Sequence, residues 1–152
     1  MVAPVESPLR DAVTHDADDL TGLFLRSRAR AMPWLVSPHD ERSTRWWVQH
    51  VLLAEQDVRV AVDGSRLLGF AAVSGGWLEQ LYVDPDHQGR GLGRALLDDA
   101  KRLRPGGLRL HVFTRNAPAR RFYESAGFVL VGQSDGHRNE EQEPDCTYAW
   151  SP

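Results

Sequence analysis

The residues of this chain best placed to do chemistry are Gln88-Gly89-Arg90-Gly91-Leu92-Gly93. They follow an apolar, strand-like run from Leu78 to Val83 and open a helix-like run from Ala95 to Leu103. Three glycines within five residues at such a junction leave backbone amides uncovered and free to converge on one small anion. A helix N-terminus adds a field equivalent to about half a positive charge. A phosphorylated ligand is therefore expected, with Arg90 and Arg94 as further cationic partners. Competing glycine motifs fail on spacing. A dinucleotide fingerprint begun at Gly89 needs glycine where Arg94 stands, and one begun at Gly91 needs a small residue where Leu96 stands. A Walker-type loop from Gly89 lacks its Gly-Lys-Ser/Thr.

Taken whole, Leu78-Glu-Gln-Leu-Tyr-Val-Asp-Pro-Asp-His-Gln-Gly-Arg-Gly-Leu-Gly-Arg-Ala-Leu-Leu97, joined to Asn116-Ala-Pro-Ala-Arg-Arg-Phe-Tyr-Glu-Ser-Ala-Gly-Phe128, strongly resembles the two signature segments of the GCN5-related N-acetyltransferases (GNAT family). The resemblance implies acetyl-CoA as acyl donor and an amine as acceptor. Gln88, Gly91 and Gly93 match the family's pyrophosphate cradle position for position, with Gly89, Arg90, Leu92 and Arg94 completing the loop. In the family the strand before the loop bulges and parts from the next one, so Leu81, Tyr82 and Val83 are expected to offer main chain to the pantetheine arm. Asn116 is expected to touch that arm as well as to cap a helix. Tyr123 stands where the family places its acid tyrosine.

Direct attack by an amine on a thioester makes two demands. An alkyl amine with pKa near 10.4 is on the order of 0.1% neutral at pH 7, so making the nucleophile costs roughly 4 kcal/mol unless a base helps. The departing thiolate benefits from a proton donor, the role the resemblance gives Tyr123. Two residues compete for the base. Glu79 lies on the strand before the loop, close to where many members carry a carboxylate. His111 lies five residues before Asn116, where some relatives carry glutamate, and an imidazole suits base work near neutrality. Water is the third alternative. A main-chain amide of the bulge near Val83 is expected to stabilise the oxyanion. Cys146 has no motif around it, so no acyl-enzyme is expected. An acyl-CoA sensor without turnover is the alternative reading of the chain, but a mere binder needs no leaving-group acid.

These side chains must be held by a regular frame. Leu9 to Val13 reads as a strand, and Asp16 as the cap of a helix that Pro33 stops. Ser37-Pro38 reads as the opening of a second helix carrying Trp46, Trp47, Val51 and Leu52. Val58 to Val62 and Leu67 to Val73 flank Asp63-Gly64, a hairpin signal. Trp77 to Val83, the glycine loop, a helix to Leu103, a strand Leu108 to Phe113 and a helix Ala117 to Ala126 follow. Phe128 to Val131 and Thr147 to Trp150 close the order, separated by a polar loop. The expected fold is α/β: a mixed, mostly antiparallel twisted sheet of about six to seven strands flanked by about four helices, as in acyl-CoA N-acyltransferases.

At 152 residues the chain fits one domain over 1–152, with a flexible N-terminus at residues 1–7. Its 18 basic and 21 acidic residues give a net charge of −3 without a basic stripe, which argues against a nucleic-acid partner. No run approaches the length of a membrane span and no basic leader opens the chain, so a cytoplasmic protein is expected. The six histidines are scattered and Cys146 is the sole cysteine, so neither a metal site nor an internal disulfide is expected. A homodimer is compatible with the reading. Trp34 and Trp46, with Glu79, are the expected walls of the pocket for a small-molecule or peptide amine, and the acidic run Glu140 to Asp145 is suited to attract a cation.

Overall fold

One strand decides the layering. β3 (Arg66–Ser74) is buried from Leu67 through Val73 on both of its faces, so it must be covered on both sides. The computed structural model describes residues 8–152, and the expected flexibility of residues 1–7 lies outside them. With β1 (Leu9–Asp11), β2 (Asp57–Asp63), β4 (Trp77–Val83), β5 (Leu108–Phe113), β6 (Val129–Ser134) and β7 (Asp145–Trp150), β3 forms a seven-stranded sheet in the order β1-β2-β3-β4-β5-β7-β6. Every neighbouring pair is antiparallel except β4 and β5.

The helices divide between the two faces. On one lie α1 (Ala17–Ala31) and α2, which begins as Glu41–Trp47, widens into π turns over Val48–Leu52 and closes with Leu53–Glu55. Leu20, Leu23, Val48 and Leu52 pack there against Val58, Val60 and Phe70. On the other lie α3 (Leu92–Leu103) and α4 (Ala117–Ser125). Leu92, Leu96, Leu97 and Ala100 keep helical spacing and meet Leu68, Leu110, Phe128 and Tyr148. Each fully enclosed leucine or phenylalanine contributes roughly 1.5–3 kcal/mol. No helix of the described residues is long and apolar enough to cross a membrane.

Four local expectations change. β1 ends at Asp11 rather than Val13. Asp16 does not cap α1: its carboxylate turns back to accept from Val13 N at 2.8 Å and from both terminal nitrogens of Arg10 at 2.8 and 3.0 Å. The second helix opens at Asp40, not Ser37-Pro38, because the Asp40 carboxylate accepts from Ser43 N at 2.8 Å while the Ser37 hydroxyl is spent on His39. β6 runs on to Ser134 because it keeps pairing with β7 past a bulge between Leu130 and Gly132.

Candidate active site

β4 and β5 run side by side, but their register holds only where Trp77 faces Arg109. Beyond it they part, and the gap becomes a cavity of about 890 Å³ between the C-terminal turns of α1 and the starts of α3 and α4. Strand alternation decides what β4 offers to it. Asp84 N donates to Leu68 O at 2.8 Å, so Asp84 and, two residues back, Tyr82 turn their main chain toward β3. Leu81 and Val83 therefore turn theirs toward the gap, where Val83 O accepts from the Ser27 hydroxyl at 3.2 Å. Of the three expected main-chain positions, Leu81 and Val83 thus face the gap, while Tyr82, also in the cavity wall, spends its peptide on β3.

The bulge also moves. Val73 faces Leu78 and Ala72 faces Gln80, so Glu79 is the extra residue, four positions before Val83. An oxyanion donor at Val83 thus owes its direction to alternation rather than to the bulge. Glu79 itself is exposed, lines the cavity and makes no ion pair or hydrogen bond among the described residues.

At the far end stands the glycine loop. Gly89 and Gly91 have φ of 78° and 82°, the left-handed region in which a side chain is strained. Gly91 begins α3 with no side chain capping it, and the first internal bond runs from Ala95 N to Gly91 O at 3.0 Å. The amides of Leu92, Gly93 and Arg94 are thereby left as free donors. Gly93 is under no such constraint: a Cβ there would stand in ordinary contact with the Phe122 ring at 3.5 Å and Val83 at 3.7 Å. Gln88, Gly89, Gly91, Leu92, Gly93 and Arg94 line the cavity, but Arg90 does not. It is exposed to solvent. Arg94 also pairs along the helix with Asp98 at 3.6 Å.

Tyr123 reaches the same cavity from α4. It is 9% exposed, its ring lies between Phe122 and Phe128, and its hydroxyl makes no hydrogen bond among the described residues. Burial, with a smaller contribution from Tyr82, pushes its phenol above the usual tyrosine range, so the proton stays on at neutral pH. Asn116 lines the cavity while its carboxamide caps α4 by accepting from Ala119 N at 3.3 Å.

His111, on the exposed face of β5, lies in the cavity wall on the strand beside Glu79. Its ring stacks on Trp77 at 4.7 Å and 28°, and its Nδ1 sits 3.1 Å from the Thr147 hydroxyl. Nε2 makes no hydrogen bond among the described residues.

The tryptophans lie elsewhere than expected. Trp46 is 59% exposed and beside His50, away from the cavity, because Trp47, one helical step round, takes the inward side against Phe24. Trp34 stands behind the wall, edge-on to the cavity residue Phe113 and under the Arg115 guanidinium at 4.6 Å. Residues that sequence reasoning passed over line the cavity as well. Arg28 donates to the Tyr82 hydroxyl at 3.1 Å and pairs with Glu141 at 3.5 Å, while Asn139 donates to Glu143 O and Asp145 at 2.7 and 3.3 Å. Their only sequence signal was the acidic run in which Glu141 and Asp145 lie. Cys146 is buried on β7, 3.4 Å from the Thr114 hydroxyl and outside the cavity.

The sequence model of the Acetyltransferase (GNAT) domain matches residues 47–130 of the chain. Among curated proteins, the peptidyl-lysine N-acetyltransferase YjaB of Salmonella typhimurium is 37% identical over 84 residues, which cover 55% of this chain and 57% of that protein. The match thus spans little more than half of that relative's length. Among solved structures, apo YjaB from Escherichia coli superposes with a TM-score of 0.79 at 27% identity, covering 99% of this chain and 98% of that one. The PaiA N-acetyltransferase of Thermoplasma acidophilum, in complex with coenzyme A, shares the fold with a TM-score of 0.74 at 18% identity, covering 97% of this chain and 100% of that one.

Proposed function

The chain belongs to the GNAT acetyltransferase family, and on that premise we propose that it moves an acetyl group from acetyl-CoA to a primary amine of a peptide or small molecule, by direct attack in a ternary complex. One observation carries the reading. The free amides of Leu92 to Arg94, the gap-facing peptides of Leu81 and Val83, and the unpartnered Tyr123 phenol all open into one cavity. A phosphate anchor, a track for an extended arm and a proton donor are therefore aligned along it.

Acetyl-CoA supplies an activated acyl group as a thioester. The acceptor nitrogen attacks the carbonyl carbon, a C–N bond forms as the C–S bond breaks, and Tyr123 gives its proton to the departing sulfur. The proton lost by the nitrogen passes to His111 Nε2, or to Glu79 through water. The Val83 amide faces the developing oxyanion. The relative named above as a peptidyl-lysine N-acetyltransferase supports an amine on a peptide as one acceptor class.

The test is an amine panel, including lysine peptides and free amino acids, assayed for thiol release from acetyl-CoA beside calorimetric titration with the coenzyme. Turnover with at least one amine is expected. Binding without turnover on any amine would leave a coenzyme-binding protein and remove the transferase reading.

A further inference from the structure

His87, the residue before the glycine loop, carries a polar atom left unsatisfied. Its Nδ1 is buried without a hydrogen-bond partner among the described residues, and the carboxylate oxygen Asp84 Oδ1 stands 3.7 Å away, beyond bonding distance. Its Nε2 makes no hydrogen bond among the described residues and is not enclosed, and the ring lines the cavity beside Gln88. Asp84 is itself almost fully buried, at 1% exposed. Its Oδ1 accepts from Asp86 N at 2.9 Å and its Oδ2 from Arg26 of α1 at 3.0 Å. Burial pushes this carboxyl up, but those two bonds and the nearby charges of Arg26 and His87 outweigh it and hold the group below the usual carboxylate range. A fixed anion therefore waits behind a ring that does not yet bond to it.

We propose that His87 is a proton-coupled ligand for a phosphate oxygen of the coenzyme. An oxyanion arriving at Nε2 draws a proton from solvent onto the imidazole, and the new Nδ1–H closes on Asp84. No covalent bond changes: one proton leaves the buffer and both ring nitrogens become donors. The surrounding charges are Asp84 and Asp86 on its own turn, Arg26 from α1, and Arg90 and Arg94 from the loop and the start of α3. Asp84 backs the ring and would face a proton placed on Nδ1, while the arginines oppose a positive ring until an anion stands between them. Nothing in the family's glycine pattern requires a titrating side chain here. The inference rests on the coenzyme A reading above.

The experiment is calorimetric titration with 3′-dephospho-coenzyme A, whose diphosphate does not titrate near neutrality, in two buffers of different ionisation enthalpy at about pH 7.5. The wild-type protein should take up a measurable fraction of a proton per coenzyme bound, and its Kd should weaken severalfold from about pH 6.5 to 8.5. His87→Gln should show neither effect, and Asp84→Asn should reduce both. Binding by the wild type without proton uptake, or uptake unchanged in His87→Gln, would overturn the role of His87 while leaving the coenzyme reading intact. The absence of any binding by the wild type at millimolar coenzyme would overturn both.

Discussion

Arg28 on α1 and Glu141 in the loop between β6 and β7, both in the cavity wall, form an ion pair at 3.5 Å, both side chains more than four-fifths covered. The guanidinium also lies 5.0 Å over the Phe24 ring and donates to Tyr82, so one arginine ties the helix, the central strand and the loop together. His39 adds a second bridge to the same loop through Glu140 at 2.9 Å.

On the proposed reading that bridge stands at the acceptor mouth and away from the phosphate anchor, so Glu141→Gln should raise the KM for the amine severalfold and leave the KM for acetyl-CoA within about twofold. Steady-state kinetics with each substrate varied in turn measures this. Equal rises in both constants would show that the loop serves the whole cavity instead.

Tyr123→Phe keeps the ring between Phe122 and Phe128 and removes only the hydroxyl, which bonds to no described residue. Stability should therefore change by less than about 1 kcal/mol, while kcat falls by roughly a hundredfold or more with little change in acetyl-CoA binding. Thermal melts and kinetics on one preparation separate the two effects. Unchanged kcat would remove Tyr123 as the acid.

The two base candidates differ in how firmly they are held. His111 is fixed by Trp77 and Thr147, whereas among the described residues no side-chain partner orients Glu79. His111→Gln is expected to abolish the acidic limb of the kcat/KM profile, and Glu79→Gln to change the plateau by less than about threefold. The reverse pattern would give the task to Glu79, and a limb that survives both would give it to solvent.

Asp16 tests the fold rather than the chemistry. The hydrogen bonds from Arg10 hold its carboxyl below the usual range against the opposing effect of burial, with the Val13 amide adding to them. A depressed folded-state pKa adds stability above the unfolded value near 3.9, and that stability is lost as pH falls through the folded value. The melting temperature should thus drop below about pH 4 more steeply in the wild type than in Asp16→Asn, while at pH 7 the variant should melt several degrees lower. Parallel melting curves against pH would refute the pairing.

Periodicity and turn chemistry were enough to place most elements. The alternation of Leu108, Leu110 and Val112, the Asp63-Gly64 turn and the glycine junction at residues 88–93 act through neighbours in the chain, and the observed strands and α3 fall where those patterns put them. Helix starts were harder. Ser37-Pro38 and Asp40 carry similar local signals, and the choice fell to whichever oxygen reached an unpaired amide, here Asp40 to Ser43.

By itself the sequence determined the glycine-lined end of the cavity, because a run of uncovered consecutive amides is built from peptide groups whose freedom glycine sets directly. It also determined which face of β5 carries His111. Only the tertiary structure decided the rest: that β4 bulges at Glu79, that Tyr82 spends its peptide on β3, that Trp47 rather than Trp46 turns inward, and that Arg28 meets Glu141 from the far end of the chain. Those outcomes depend on pairing register and on contacts between residues remote in sequence. Such contacts are settled by how the layers pack, and no local pattern encodes them.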